Sequence, residues 1–91
     1  MNAFTIAAAQ YPIDEVRSFA EWEDKLARWV EEAKAGGASL AVFPEYGIME
    51  LTAANAKARD DLAYSLEWLS DHRSDIDAAH ERLAAEHHIH I

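Results

Sequence analysis

The stretch Ser39-Leu40-Ala41-Val42-Phe43-Pro44 decides the fold that this sequence predicts. Residues 39–43 form a short apolar run, which is typical of a buried β-strand. Pro44 ends the run, because a proline nitrogen has no hydrogen to donate to a central strand pairing. Gly36-Gly37 lies directly upstream and predicts the end of a preceding helix. The sequence therefore predicts a strand that follows a helix almost at once.

The helix before this strand is predicted from its start signal and its apolar stripe. Ser18-Phe19-Ala20-Glu21 is a capping box, in which the Ser hydroxyl and the Glu carboxylate accept from backbone N–H groups at the helix start. One stripe carries the apolar side chains Phe19, Trp22, Leu26, Trp29, Val30 and Ala33. We expect both tryptophans in a core or an interface, since no basic residues alternate with them as in a nucleic-acid stacking platform.

A second apolar run, residues 4–10, precedes the helix and is ended by Pro12. Strand, helix and strand in this order predict a βαβ unit with parallel strands. Neither run alternates between polar and apolar residues, so both faces of the sheet need cover. One helix covers one face, and later chain or a second subunit must cover the other.

The rest of the chain predicts two further helical regions and a third strand. Residues 53–59 have high helix propensity. Leu62, Leu66 and Leu69 follow at steps of 4 and 3, which is the spacing of an apolar stripe on a helix. Residues 74–77 look like another helix start, followed by the apolar stripe Ile76, Ala79, Leu83 and Ala84. Residues 87–91 alternate as a strand does. The predicted fold class is α/β.

Charge and composition exclude several function classes. The 91 residues carry 17 acidic and 8 basic side chains, for a formal net charge of −9. Nucleic acid and anionic membrane surfaces would repel such a chain. It has no Cys, which excludes a disulfide, a thiolate zinc site and a cysteine nucleophile within these residues. With no apolar stretch near the ~20 residues of a membrane span and no basic signal region at residues 1–5, we expect a cytoplasmic protein.

Glu45 is the main candidate for chemistry. It follows the carboxyl end of a predicted parallel strand, where open α/β sheets place their ligands. Phe43 and Tyr46 would keep its surroundings partly dry, and burial raises the pKa of a carboxyl group toward that of a useful general base. The alternative is a solvated loop residue or a helix cap. Glu50 is a weaker acidic candidate, and its alternative is also a solvated loop residue.

Several features together resemble the N-terminal third of the nitrilase superfamily of carbon–nitrogen hydrolases. They are the strand at residues 6–10, the helix with Trp22, Lys25 and Trp29, the turn at residues 35–38, the strand end Phe43-Pro44-Glu45, and the helix and strand at residues 83–91. The resemblance implies the strand-helix-strand-helix-strand beginning of an αββα sandwich. Residues 1–91 would then be one partial domain, with its C-terminal two thirds absent.

The resemblance also implies a Glu-Lys-Cys triad that hydrolyses a small amide or nitrile, with no cofactor and no metal. Glu45 matches the general base, and Tyr46 would line the substrate pocket. Lys25, Lys34 and Lys57 do not match the catalytic lysine, and there is no Cys to match the nucleophile. We therefore expect the isolated chain to be inactive.

Two other function classes remain as alternatives. One is a non-enzymatic interaction module, whose uncovered sheet face and tryptophan stripe mediate assembly; a homo-oligomer is expected in either case. The other is a small metal-binding or ligand-binding α/β domain. On a strand, His88 and His90 would point to one face about 6 to 7 Å apart, as two metal ligands do. Further ligands would have to come from His80 and Glu86 of the preceding helix, so incidental histidines at a strand end are the simpler interpretation.

Overall fold

A computed structural model describes residues 4–14, 16–44, 47–55, 57–58 and 61–91. Its strands are β1 (Ile6–Ala8) and β2 (Leu40–Val42), and its α-helices are α1 (Phe19–Ala35), α2 (Leu62–Asp71) and α3 (Arg73–His87). A 3₁₀ helix spans Gly47–Ala54. The mixed α/β class predicted from the sequence is confirmed.

The two strands are parallel neighbours and α1 connects them along the chain. Ile6 is paired with Leu40, and Ala8 with Val42. The N–H of Ala9 also donates to the carbonyl of Val42 at 2.8 Å. The predicted strand–helix–strand order with parallel strands is confirmed, although each strand is shorter than its apolar run.

Local signals set both ends of α1. The hydroxyl of Ser18 accepts from the N–H of Glu21 at 3.1 Å, as predicted for the cap. The carboxylate of Glu21 accepts from the N–H of Arg17 at 3.4 Å rather than from Ser18, so only half of the capping box forms. At the other end Gly37 has a φ of 84°, a left-handed conformation that glycine adopts without steric cost.

The hydrophobic core lies between α1, α3, the 3₁₀ helix and one face of the sheet. Its most deeply buried large side chains are Trp22, Val30, Leu51 and Leu83. Trp22 is therefore a core residue as predicted, while Trp29 is half-buried. The apolar side predicted for α3 is confirmed by Ile76, Ala79 and Leu83, which are all buried.

The predicted stripe of α2 is wrong for two of its three residues, Leu62 and Leu66, and right for Leu69. Leu62 is 70% exposed and Leu66 55% exposed, whereas Ser65 and Leu69 are buried. The periodicity selects a helix correctly, but the side with Ser65 and Leu69 is the one that meets the rest of the chain. The helix begins where the carboxylate of Asp61 accepts from the N–H of Tyr64 at 3.1 Å.

The third strand predicted at residues 87–91 is also wrong. α3 continues to His87, and His88 ends it with a φ of 51°, so both residues are used by the helix end. Only His90 pairs with the sheet, through an isolated parallel bridge to Leu40. The predicted strand-helix-strand-helix-strand order thus ends in a single bridge, because the end of α3 takes up His87 and His88 and leaves residues 89–91 to meet β2.

The two faces of the sheet differ. Ala7 and Ala41 face the core, whereas Ile6 is 57% exposed and Val42 46% exposed. Phe4, which precedes β1, is 62% exposed. The sequence predicted that other elements pack on both faces of the sheet. In the described residues they pack only on the face toward α1.

Candidate functional site

Glu45 and Tyr46, the catalytic and substrate-binding residues predicted from the sequence, lie outside the described residues. The residues on either side of them are described. Phe43 and Pro44 leave the carboxyl end of β2, and the 3₁₀ helix begins at Gly47. The carboxyl edge of the sheet is formed by these two flanks and by the segment that follows β1.

A buried carboxylate organises this edge. Glu50 projects from the 3₁₀ helix and is 2% exposed. Its Oε1 accepts from the hydroxyl of Tyr11. Its Oε2 accepts from the backbone N–H of Asp14 at 3.0 Å and from Nζ of Lys25 at 2.7 Å. The expectation of a solvated loop residue at this position is wrong, because both oxygens are withdrawn from water and bonded.

Lys25 is the cation that balances this carboxylate. It lies in α1, is 6% exposed, and also forms an ion pair with Oδ2 of Asp14 at 2.8 Å. Its ammonium donates to the carbonyl of Pro12 and lies 4.0 Å from the centre of the Tyr11 ring. We call Tyr11, Asp14, Lys25 and Glu50 the carboxylate cluster.

Tyr11 joins the cluster to the aromatic side chains around it. Its ring centre is 5.5 Å from that of Trp29 and 5.6 Å from that of Phe43. Burial, and then the hydrogen bond and negative charge of Glu50, raise the pKa of Tyr11 well above its ordinary value. Tyr11 therefore acts as a hydrogen-bond donor and not as a base.

The carboxylate cluster is suited to holding chain segments together. It joins the segment after β1, helix α1 and the 3₁₀ helix. Both oxygens of Glu50 are already bonded, and the Lys25 ammonium bonds two carboxylates and a carbonyl. A group in this state is a poor acid, base or nucleophile, so the cluster has a structural role.

Sequence reasoning missed the pair of Lys25 and Glu50, although each left a weak signal. Lys25 falls between Trp22 and Trp29 in the phase of the apolar stripe, where a solvated lysine is out of place. Glu50 lies between apolar neighbours in the run 48–51. Two opposite charges in apolar patterns are the kind of signal that predicts a buried ion pair.

The histidines do not form the arrangement that the metal alternative requires. His88 is the left-handed cap of α3 and shares no strand with His90. Within the described parts of the chain, no group of three or more His, Asp or Glu side chains is placed to hold a metal ion. No helix in those same ranges is long and apolar enough to cross a membrane.

Comparison of the chain with protein-family models, with curated proteins and with solved structures finds no match.

Replacing Lys25 by Met should strongly destabilise the fold, because Glu50 and Asp14 lose their cation while Glu50 stays buried. Leaving one charge of a buried pair uncompensated costs about 3–5 kcal/mol of unfolding free energy. Urea denaturation measures the change. The matched control is Lys34→Met, since Lys34 is exposed and its ammonium donates to the carbonyl of His88 at 3.2 Å.

Lys34→Met should change the free energy by less than about 1 kcal/mol. Adding Glu50→Leu to Lys25→Met should restore part of the stability, since no unpaired buried charge remains. If Lys25→Met destabilises no more than Lys34→Met, the cluster does not hold the fold together.

Tyr11 should make the folded state sensitive to alkali. A tyrosine in the unfolded chain loses its proton near pH 10, while the pKa of Tyr11 in the folded state is raised. The contribution of Tyr11 to the free energy of unfolding is therefore complete below about pH 10. Above that pH it falls by about 1.4 kcal/mol per pH unit. In Tyr11→Phe this part of the alkaline loss should disappear, together with the bond to Glu50.

The measurement is urea unfolding at intervals between pH 8 and pH 11.5. Tyr64→Phe is the matched control, because Tyr64 lies outside the carboxylate cluster and contacts Lys57 instead. In Tyr64→Phe the free energy of unfolding should fall with rising pH as steeply as in the natural chain. An unchanged slope in Tyr11→Phe would show that Tyr11 does not bind its proton more tightly in the folded state.

Proposed function

We propose that this chain is the N-terminal segment of a carbon–nitrogen hydrolase of the nitrilase type, in which Glu45 is the general base. The substrate is a small amide or nitrile. The proposal rests on the resemblance of the sequence and is supported by one structural observation: the carboxylate cluster fixes both described flanks of residues 45–46.

The support from these flanks is geometric. On one side, Phe43 packs edge-on against the ring of Tyr11 at 5.6 Å. On the other, the 3₁₀ helix carries Glu50, which is bonded to Tyr11 and Lys25. Both flanks are therefore attached to the same buried group at the carboxyl edge of a parallel sheet. A general base needs such a rigid support, since its efficiency depends on accurate placement.

In the proposed reaction Glu45 takes the proton of a cysteine thiol as the sulfur attacks the amide or nitrile carbon. An amide expels ammonia or an amine and leaves a thioester. A nitrile gives a thioimidate, which water converts to the thioester with loss of ammonia. Water then releases the carboxylic acid and the free thiol. The cysteine must come from outside residues 1–91, which contain none.

The 91-residue chain by itself should release no ammonia from amides or nitriles, because it lacks the thiol for the covalent route. If the chain releases ammonia above the buffer background, and Glu45→Gln abolishes this release, the reaction does not need the thiol and the covalent route is contradicted. The gene beyond codon 91 then provides the direct test: the proposal requires a downstream Lys and Cys, and a continuation without a Cys overturns it.

In the continued polypeptide, Glu45→Gln should lower single-turnover acylation by ~10²-fold or more while the melting curve stays close to that of the natural chain. Glu31→Gln, an exposed acidic position on α1, is the control and should change neither. Acylation in Glu45→Gln within a few-fold of the control would remove Glu45 from the proposed mechanism.

The uncovered sheet face favours a second candidate, a homo-oligomerising interaction module. Phe4, Ile6 and Val42 are all large apolar side chains that are about half exposed or more. Paired strands bring Ile6 and Val42 onto the same face. A contiguous apolar patch of this kind is typical of a surface that another protein covers.

Light scattering tests the second candidate. The natural chain should have at least twice the monomer mass of 10.2 kDa, and Ile6→Lys should shift it toward the monomer because a charge cannot be buried in the interface. Leu66→Lys is the matched control, since Leu66 is equally exposed but lies on α2. A monodisperse monomer of the natural chain at high concentration would exclude this module.

A further inference from the structure

The outer edge of β1 is the side of the sheet on which backbone groups are open to pairing. Along the described ranges of the chain, β1 has β2 as its one strand neighbour, whereas β2 is paired with β1 on one side and with His90 on the other. The carbonyl of Thr5 accepts from the N–H of Ser39 at 2.8 Å. The N–H of Ala9 donates to the carbonyl of Val42, also at 2.8 Å. Residues 5 and 9 are thus directed at β2.

The residues between them include two that are directed away from β2. Backbone groups of successive residues in a strand point alternately to its two sides. Since residues 5 and 9 point toward β2, Ile6 and Ala8 direct their N–H and C=O groups to the outer edge. Both residues are exposed. The outer edge of β1 therefore presents two donors and two acceptors to its surroundings.

β1 lacks the features that keep an edge strand from pairing with another chain. Natural edge strands carry charges, prolines or bulges that prevent the addition of a strand. Residues 4–10 include no charged side chain and no proline. The pairing with β2 runs from residue 6 to residue 8 without a bulge. An edge of this kind is a template to which an extended segment adds through main-chain hydrogen bonds.

We propose that this segment is β1 of a second copy, which runs antiparallel to the first and places Ala7 opposite the partner's Ala7. Ile6 is then opposite the partner's Ala8, and each such pair exchanges two backbone hydrogen bonds. The register pairs the whole of β1 with the whole of its counterpart, and it puts a large side chain beside a small one. The proposal rests on the second candidate function, self-association, and names the contact that produces it.

Charge favours the β1 edge over other surfaces of a second copy. The chain carries a net charge of −9, so two copies repel each other over most of their surface. Residues 4–13 carry no charge, and the strand edge is therefore a place where two copies can approach. A contact between the same patch on two subunits closes with two-fold symmetry. Neither copy then keeps an unpaired β1 edge.

Amide hydrogen exchange, measured by NMR on the 91-residue chain over a range of concentrations, tests the pairing. Light scattering on the same samples gives the fraction of dimer. The N–H groups of Ile6 and Ala8 should exchange about ten-fold more slowly or less once the dimer predominates, because only the dimer bonds them. The N–H of Ala9 is the internal control, since it bonds to Val42 within one copy and its exchange should depend little on concentration.

Two substitutions of Ala8 separate its backbone donor from its side chain. Ala8→Pro removes the outward N–H and leaves the bonds to β2, since proline is tolerated on the outer side of an edge strand. The symmetric dimer loses two hydrogen bonds worth about a factor of five each, so its dissociation constant should rise about 25-fold or more. Ala8→Ser is the matched control, because it keeps the N–H and should change the constant by less than about three-fold. Circular dichroism shows whether the helices are retained.

The outcomes separate this proposal from the candidate function on which it rests. A natural chain that stays monomeric at every concentration overturns both. A dimer in which Ile6 and Ala8 exchange as fast as in the monomer overturns the edge pairing alone, since copies that pack through their open faces do not bond these groups. Equal dissociation constants for Ala8→Pro and Ala8→Ser overturn it as well. If Ala8→Pro does not fold, the exchange of the natural chain decides.

Discussion

The buried pair of Lys25 and Glu50 is the interaction on which the rest of the structure depends. Withdrawing each ion from water costs several kcal/mol, and the pair is favourable only when further hydrogen bonds complete it. Here the hydroxyl of Tyr11, the N–H of Asp14 and the carbonyl of Pro12 do so. These groups belong to the segment after β1, while Lys25 belongs to α1 and Glu50 to the 3₁₀ helix. The pair therefore forms only when all three segments have assembled, and it specifies one arrangement of them.

This constraint also explains why the two faces of the sheet differ. The cluster draws α1 and the 3₁₀ helix to one side, where Trp22, Ala41 and Leu51 form the core. The other side receives no element of the described chain, and Ile6 and Val42 stay exposed there. The described residues therefore place helices on one face of a two-stranded sheet. Any layer that packed on the open face would have to be apolar, because Ile6 and Val42 are what that face exposes.

The sequence predicted what depends on neighbouring residues and failed where the outcome depends on distant ones. The cap at Ser18, the stop at Gly37 and the parallel strands follow from local patterns, and the structure has them. The exposed side of α2 and the end of α3 depend on which surface is available for packing, which periodicity does not encode. Lys25 and Glu50 are 25 residues apart, so only their apolar surroundings could suggest the pair. Glu45 and Tyr46 stay predictions.

For the proposed hydrolase, the bonding of the cluster bears on which carboxylate is the general base. Among the acidic residues between Tyr11 and Leu51 that adjoin the strand ends, Glu50 has both oxygens bonded in a dry site. Asp14 is paired with Lys25, and its side chain is otherwise exposed to water. Neither offers a carboxylate that is both free of a partner and shielded from water. In the proposed hydrolase the base is therefore a residue outside the cluster, and the proposal assigns Glu45, which the sequence places between Phe43 and Glu50.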